Sequence, residues 1–502
     1  MELLDHLLLG LQTAVTLQNL LYCLAGVTLG TLVGVLPGMG PVATVAMLLP
    51  MTYALDPASA LIMLAGIYYG AQYGGSTTAI LVNLPGEASA VMTCLDGHKL
   101  ALKGKAGAAL GVAAIGSFVA GSFATVLIAA FATPLTEVAF QFGPREYFSL
   151  MVLGLVGAVV LANGSLLKAL GMIFTGILLG CVGMDVNSGA LRYVFGVDEL
   201  MDGIDFVALS MGIYGFAEII RNLEDTHERE TKSVPVGRVL PSRADLKESA
   251  GPIARGTVLG SLLGILPGGG ALLSSFASYT VEKKLGPGKG PAFGEGNIRG
   301  VAGPESANNA GAQTSFIPML TLGIPSNAVM ALMIGALMLH DITPGPQVVQ
   351  TNPALFWGLI VSMWIGNLFL VVLNIPMIGL WIRLLRVPYR LLYPAILCFC
   401  AIGVYSINNN TFDIGMTIVF GILGWIFGKL GCECAPLVLG FILGPMLEEN
   451  VRRALLLSRG DLTTFLQSPI SATLLAVSAV LLMLVVLPSV KRGRDAAFTE
   501  SD

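Results

Sequence analysis

Two short segments of this chain are near-copies of each other, and both interrupt a long apolar run in the same way. Residues 30–40 read GTLVGVLPGMG and residues 260–270 read GSLLGILPGGG, with seven of eleven positions identical. Proline removes a backbone donor, and the glycines permit backbone that other residues resist. In lipid, irregular backbone survives only where it is buried in protein or lines a wet cavity. Paired, interrupted apolar segments at matching places in two halves of a chain point to a transporter's binding site.

Composition sets the same frame. The 502 residues are 55% hydrophobic and only 12% charged, against about 25% charged in a typical soluble domain. Mean hydropathy is +0.79. A chain with this many long apolar runs reads as a polytopic, all-α membrane protein. The net charge of −4 gives no reason to expect a nucleic-acid partner. The opening MELLDHLLLG lacks a basic stretch and a small-residue cleavage site, so the first helix is expected to stay in the membrane. Seven cysteines lie mostly in apolar surroundings. Cys398/Cys400 and Cys432/Cys434 have no partner histidine and make a poor zinc pattern, so packing is their expected role and no metal or cofactor is expected.

Apolar spans fall near 7–24, 58–82, 106–132, 147–162, 166–183 and 205–220, then 308–340, 354–382, 391–405, 413–428, 435–447 and 469–488. That is about twelve crossings. The motif segments 26–49 and 256–280 stand apart. Each has two arms of roughly ten residues about its Pro-Gly tip. An arm of that length reaches about 15 Å, half of a hydrocarbon core of about 30 Å. Each segment therefore reads as a re-entrant hairpin, the alternative being one kinked span.

Lys and Arg favour cytoplasmic loops. They cluster in 98–105, 221–255, 282–299, 383–390 and the tail, whereas 50–57 and 341–353 hold none. The bare loop follows the hairpin in the first half and the polar stretch in the second, so the halves are expected to be inverted repeats. The expected organisation is an N-terminal transmembrane helix (1–25), a first membrane repeat (26–220), a polar cytoplasmic linker (221–255), a second repeat (256–490) and a cytoplasmic tail (491–502). Arg452, Arg453 and Arg459 do not fit this parity. Segment 435–447, at 13 residues, is short for a span.

After each hairpin comes a polar, glycine-rich stretch. The first is 68–78 followed by Asn83-Leu84-Pro85-Gly86. The second is 303–315 followed by Thr321 to Asn327. Hydroxyls and amides at membrane depth need partners, which a hydrophilic substrate or a coupling ion can supply; helix packing is the alternative for any single Ser or Thr. The candidate substrate-binding residues are Gly38, Gly40, Ser76, Thr77, Asn83, Gly268, Gly270, Asn308, Ser326 and Asn327. The candidate ion-coupling residues are Thr78, Glu305 and Asn309, for sodium or protons. Glu305 is either a protonating or cation-holding carboxylate inside the membrane or a boundary group paired with Arg299. Glu87 and Asp96 are expected near the cytoplasmic face, paired with lysines. With no basic residue at either tip, an anion would be held by backbone dipoles, hydroxyls and a co-bound cation. No H-E-x-x-H, no Walker A motif and no suitably placed G-x-S-x-G is present, so neither an intramembrane enzyme nor an ATP-driven pump is expected. The other reading is a gated anion channel or a stand-alone carrier without a binding protein.

GVLPGMGP (34–41), YYGAQYGGSTTAILVNLPGE (68–87), DGHKLALKGKAGAALG (96–111), GILPGGGALLSSFASYTVEKK (264–284), GPESANNAGA (303–312) and LTLGIPSNA (320–328) together resemble the TctA family, the large membrane subunit of tripartite tricarboxylate transporters. The resemblance covers nearly the whole chain from about Gly26. It implies a permease in a bacterial inner membrane, a small four-helix membrane subunit and a periplasmic substrate-binding protein. It also implies ATP-independent uptake of tri- or dicarboxylates on a sodium or proton gradient. Ser326-Asn327 stands where the family more often has Gly-Ser, a departure that bears on which carboxylate is taken.

Overall fold

The computed structural model describes residues 2–36, 39–161, 165–185, 188–224, 236–237, 239–266, 270–384 and 389–486. Its elements are helices, apart from an antiparallel pairing of Gly183–Met184 with Leu191–Arg192. The all-α expectation holds.

Helix Leu17–Gly34 shows why this chain belongs in lipid. Its buried face is Asn19, Cys23, Gly26, Val27, Gly30, Thr31 and Gly34. Leu17, Leu21 and Leu24 face outward. Small and polar residues turn inward and leucines outward, the reverse of a soluble amphipathic helix.

The small face serves one contact. Leu17–Gly34 packs along Pro57–Val82, and Gly26, Gly30 and Gly34 sit against the backbone of Met63, Ile67 and Ala71. A methyl group at any of the three would collide with the facing carbonyl oxygen. The second half repeats the device. Arg243–Gly264 packs along Arg299–Thr314, with Gly256, Gly260 and Gly264 against Gly303, Ala307 and Gly311. A four-residue spacing keeps three glycines on one helix face, so two backbones touch over about two turns.

Both motif segments are helix–break–helix units. Leu17–Gly34 is followed by Pro41–Leu48, and Arg243–Gly264 by Gly270–Leu285. The first arms are longer than the expected ten residues, at 18 and 22. Thr16 caps the first, its side chain accepting from the Asn19 N–H at 3.3 Å. The break at 15–16 thus replaces the expected boundary at 25. Ser242 and Asp245 form a reciprocal capping box that starts the second arm inside the segment read as linker.

The long helices cross between halves. Ala106–Ala139 packs on Arg299–Thr314, and Pro353–Asn374 packs on Pro57–Val82. Ala106–Ala139 and Pro353–Asn374 also touch, where Gly121 admits Asn367 and the Trp364 indole donates to the Ser122 carbonyl at 3.1 Å. Among the described residues, five helices are long and apolar enough to cross a membrane: Leu17–Gly34, Ala101–Ala139, Phe206–Glu224, Pro353–Asn374 and Thr411–Lys429. Shorter apolar helices include Leu166–Gly180 and Ala328–Leu339. The run 308–340, read as one span, is three helices: Arg299–Thr314, Phe316–Leu322 and Ala328–Leu339. Gly323, at φ +71°, ends the second of them.

The short apolar segment at 435–447 belongs to a 23-residue helix, Ala435–Leu457. Ion pairs carry it past the apolar run: Glu448 with Arg452 at 2.5 Å and Glu449 with Arg453 at 2.6 Å. Arg452 also reaches Asp185 at 2.9 Å. Two of the three arginines that break the loop-charge pattern are thus neutralised locally.

Gly260→Val is expected to lower the thermal midpoint of the detergent-purified protein, with a loss at or above the ~1–3 kcal/mol of ordinary overpacking. Gly171→Ala, where an added methyl meets nothing within 4 Å, is expected to raise stability by about 0.5–1 kcal/mol. Equal midpoints for the two variants would show that the close backbone contact is not needed.

Candidate functional site

The two broken segments present the starts of their second helices to one place. Gly40 is the N-cap of Pro41–Leu48, and Pro41 takes the first helical position, where its missing N–H removes no helix bond. Gly270 opens Gly270–Leu285 at φ +40°, a backbone state that favours glycine. Hydroxyls hold the incoming arms. Thr78 donates to the Val35 carbonyl at 2.8 Å, and Ser315 donates to the Gly264 carbonyl at 3.2 Å. Gly38 and Gly268 lie outside the described residues.

Gly40 and Gly270 line the same cavity, of about 280 Å³. Four helix N-termini wall it. They are those of Pro41–Leu48, Gly270–Leu285, Ala328–Leu339 and Ala435–Leu457. Asn327 caps the third, its Oδ1 accepting from the Met330 N–H at 3.0 Å, while its Nδ2 donates to Ser315 Oγ at 3.1 Å. Helix starts carry N–H groups that have no partner within the helix, and roughly half a positive charge. Tyr68 and Gln72 enter from Pro57–Val82, and Glu87 and Ser89 from the loop after it. Gln72 is fully buried, and neither its amide nitrogen nor its amide oxygen has a hydrogen-bond partner. No Lys, Arg or His is among the lining residues.

Beside the cavity lies a buried acid. Glu305 has no exposed surface. Its Oε2 accepts from the Ser76 hydroxyl at 2.6 Å and from Asn308 Nδ2 at 3.5 Å, and its Oε1 accepts from the Thr93 hydroxyl. Its main-chain carbonyl accepts from Asn309 Nδ2 at 3.0 Å and from Ser117 Oγ at 3.2 Å. Arg299, its alternative partner from the sequence, instead pairs with Glu248 at 2.7 Å. The carboxylate is held by neutral donors, which suits a group that takes up a proton or a small cation. Ser76, Thr77 and Glu305 also share a narrow void with Tyr73 and Ser117.

Asp96 and Glu87 do not pair with lysines as expected. Asp96 is fully buried. Its Oδ1 accepts from the backbone N–H groups of Gly294, Gly296 and Asn297 at 3.0, 2.9 and 2.6 Å, and its Oδ2 from the Tyr279 hydroxyl at 2.9 Å. One carboxylate of the first half thus organises the loop that leads into Arg299–Thr314. Glu87 is 9% exposed and accepts from the Ser89 hydroxyl at 2.5 Å.

Of the residues selected from sequence, Gly40, Gly270 and Asn327 meet at the cavity. Ser76, Thr77, Glu305, Asn308 and Asn309 gather in the adjoining polar cluster. Thr78 anchors the end of the first arm. Ser326 donates to the Ser315 carbonyl at 3.3 Å. Asn83 ends its helix in the left-handed region, at φ 59°, a conformation asparagine tolerates. Sequence reasoning placed Glu87 at the membrane boundary, and did not select Gln72, Ser89 or the wall from Glu433 to Leu439. Pro436 in the first turn of a helix was the readable signal for that wall.

The sequence model described as "Tripartite tricarboxylate transporter TctA family" matches residues 20–439. An Agrobacterium vitis protein described as "Uncharacterized 52.8 kDa protein in TAR-I ttuC' 3'region" is 58% identical over 503 residues, covering 100% of both chains. A second, from the TAR-II ttuC' 3'region of the same organism, is 62% identical over 244 residues, 48% of this chain and 100% of its own. No solved structure matches.

Asp96→Ala is expected to lower stability by roughly 3 kcal/mol or more, because four donors lose a charged acceptor at once. Limited proteolysis should then cut within residues 286–298, where the native protein resists. A variant as protease-resistant as the native chain would show that the loop holds itself.

Proposed function

The chain belongs to the tripartite tricarboxylate transporter TctA family, and from that premise we propose that it is the permease that moves di- or tricarboxylates across a bacterial inner membrane on a sodium or proton gradient. It is a multi-pass membrane transporter subunit. A periplasmic binding protein delivers the substrate in this reading, and a small four-helix membrane subunit completes the complex. The observation that carries the proposal is the cavity. Both broken segments and four helix N-termini converge on it, and no basic side chain lines it.

That arrangement favours an anion that must leave again. Each helix N-terminus contributes about 0.3–1 kcal/mol, up to ~2 in partly buried geometry. Four together supply a few kcal/mol, enough to orient one carboxylate but short of the several kcal/mol lost on desolvating each of the two or three carboxylates of a substrate. A buried arginine would close that gap and trap the substrate. A co-transported cation closes it and leaves with the substrate, which is the physical reason to couple uptake to an ion gradient. Thr78, Glu305 and Asn309 are the residues assigned to that ion. Gln72 supplies a free amide donor and acceptor to the substrate.

The two glycine-backed hairpin units are read as inverted repeats, entering from opposite faces. Single-cysteine labelling should then place residues 52–55 outside and 284–288 inside; both on one side would remove the inversion.

Proteoliposomes holding the complete three-part complex should accumulate labelled citrate or succinate when a sodium or proton gradient is imposed. Gln72→Leu should lower that uptake about tenfold or more while leaving the thermal midpoint unchanged or higher, since an unpartnered buried amide is removed. Uptake indifferent to sodium, proton and potential gradients would favour a channel.

A further inference from the structure

The cavity contains an acid where an anion is to bind. Glu87 and Glu433 both line it beside helix starts, Glu87 next to Gly40, the N-cap of Pro41–Leu48, and Glu433 just ahead of Ala435–Leu457. The titratable groups around Glu87 are Tyr68 and Glu433 in the same wall, and Glu305, reached through Ser89 and Asn308. None is cationic. Glu305 does not line this cavity, and its oxygens are already met by Ser76, Thr93 and Asn308. Glu87 differs in this respect. Its Oε1 takes the Ser89 hydroxyl, its side chain lies in the wall, and Gln72 in the same wall has an amide with no partner.

Two like charges about 4 Å apart at an effective dielectric of 20 repel enough to weaken binding about a thousandfold. That is comparable to the attraction of the four helix starts combined. An ionised Glu87 therefore cancels what the cavity is shaped to do. A protonated one adds to it, because its second oxygen then carries an O–H donor.

We propose that Glu87 is a proton-coupling residue of this cavity, binding one proton together with each carboxylate substrate. The proton enters with the anion and sits on the Glu87 oxygen that Ser89 does not occupy. There it donates a hydrogen bond to a substrate carboxylate that also meets the Gln72 amide. When the substrate departs, the same O–H bond breaks, the proton leaves to water, and Ser89 holds the carboxylate that remains. Only that O–H bond is made and broken, and nothing is oxidised or reduced. The inference rests on the carboxylate reading of the cavity and names the group that makes such binding depend on protons.

The test is equilibrium binding of labelled citrate and succinate to the full-length protein in nanodiscs. Proton uptake is read in weakly buffered medium, at pH values above those where the probes titrate. The native protein should take up about one proton per anion bound. Its affinity should fall about tenfold per pH unit once Glu87 ionises. Glu87→Gln should bind with little pH dependence and take up no proton. Glu87→Asp should restore both. Difference infrared spectra of the native protein should show a protonated-carboxyl band appearing with the ligand, a readout that stands if Glu87→Gln does not fold. Binding without proton uptake or that band, or wild-type pH dependence in Glu87→Gln, overturns the role of Glu87 and leaves the carboxylate reading intact. No binding of either probe by the native protein at any pH overturns the carboxylate reading and this inference with it.

Discussion

Each half of this protein depends on a helix with a stripe of three glycines, four residues apart, along its buried face. Gly26, Gly30 and Gly34 lie on Met63, Ile67 and Ala71, and Gly256, Gly260 and Gly264 lie on Gly303, Ala307 and Gly311. Lipid tails give no hydrophobic drive to join two apolar helices, so contact must come from packing and hydrogen bonds. Glycine permits the closest approach, and many weak dispersion contacts then add up. The consequence reaches the cavity directly. Gly34 is the last residue of its arm, and Gly74 presses against the Thr31 carbonyl and Val35. The place where the first arm stops is therefore fixed against Pro57–Val82, the helix that carries Gln72 and Ser76.

Charge inside the fold is handled by neutral groups. Asp96 takes three backbone N–H groups and a tyrosine hydroxyl. Glu305 takes two hydroxyls and an amide. Where a buried carboxylate does meet a cation, as Glu282 meets Arg255 at 2.7 Å, the guanidinium side is 40% exposed. The ion pairs thus lie toward the water boundary, while the centre is left to dipoles. Dipoles stabilise a charge less than a full cation does, so groups at the centre keep more freedom to change protonation or ion occupancy.

The repeated LPGxG segments, the glycine spacing and the polar stretches after them were legible because backbone constraints leave a residue-level mark. Proline and glycine at fixed offsets read the same in any context. Helix ends were less legible. The start at Ser242 was masked by a basic, polar neighbourhood, although Ser242 and Asp245 carry the capping pattern. The extent of Ala435–Leu457 was hidden because hydropathy stops at the charged turn that Glu448 and Arg452 stabilise. Membership of the cavity wall was least legible. Glu87 looked like a boundary acid because lysines follow it in sequence, and sequence distance carries no information on which way a loop folds back. Gly86 settles it: packed against the Cα of Gly75, it brings Glu87 back over its own helix.

Cohesion within and between the two units differs in kind, and that difference bears on how such a protein can move. Inside each unit, the arm and its polar helix interlock backbone to backbone, and a hydroxyl ties the arm end: Thr78 to Val35, Ser315 to Gly264. Between the halves, besides the packing of the long helices and the Asp96 network, the groups next to the cavity meet through single hydrogen bonds. Ser275 donates to the Ser89 carbonyl at 2.7 Å, Ser76 donates to Glu305, and Asn309 donates to Ser117 at 2.7 Å. A hydrogen bond that exchanges one partner for another changes free energy by about 1 kcal/mol or less, whereas separating a close-packed glycine face loses every contact at once. Next to the cavity, exchange of partners therefore costs least along the polar seam that contains Ser89, Asn308 and Glu305. An ion or proton that alters the hydrogen-bonding of that seam acts on a join made of exchangeable hydrogen bonds, which lies beside the cavity.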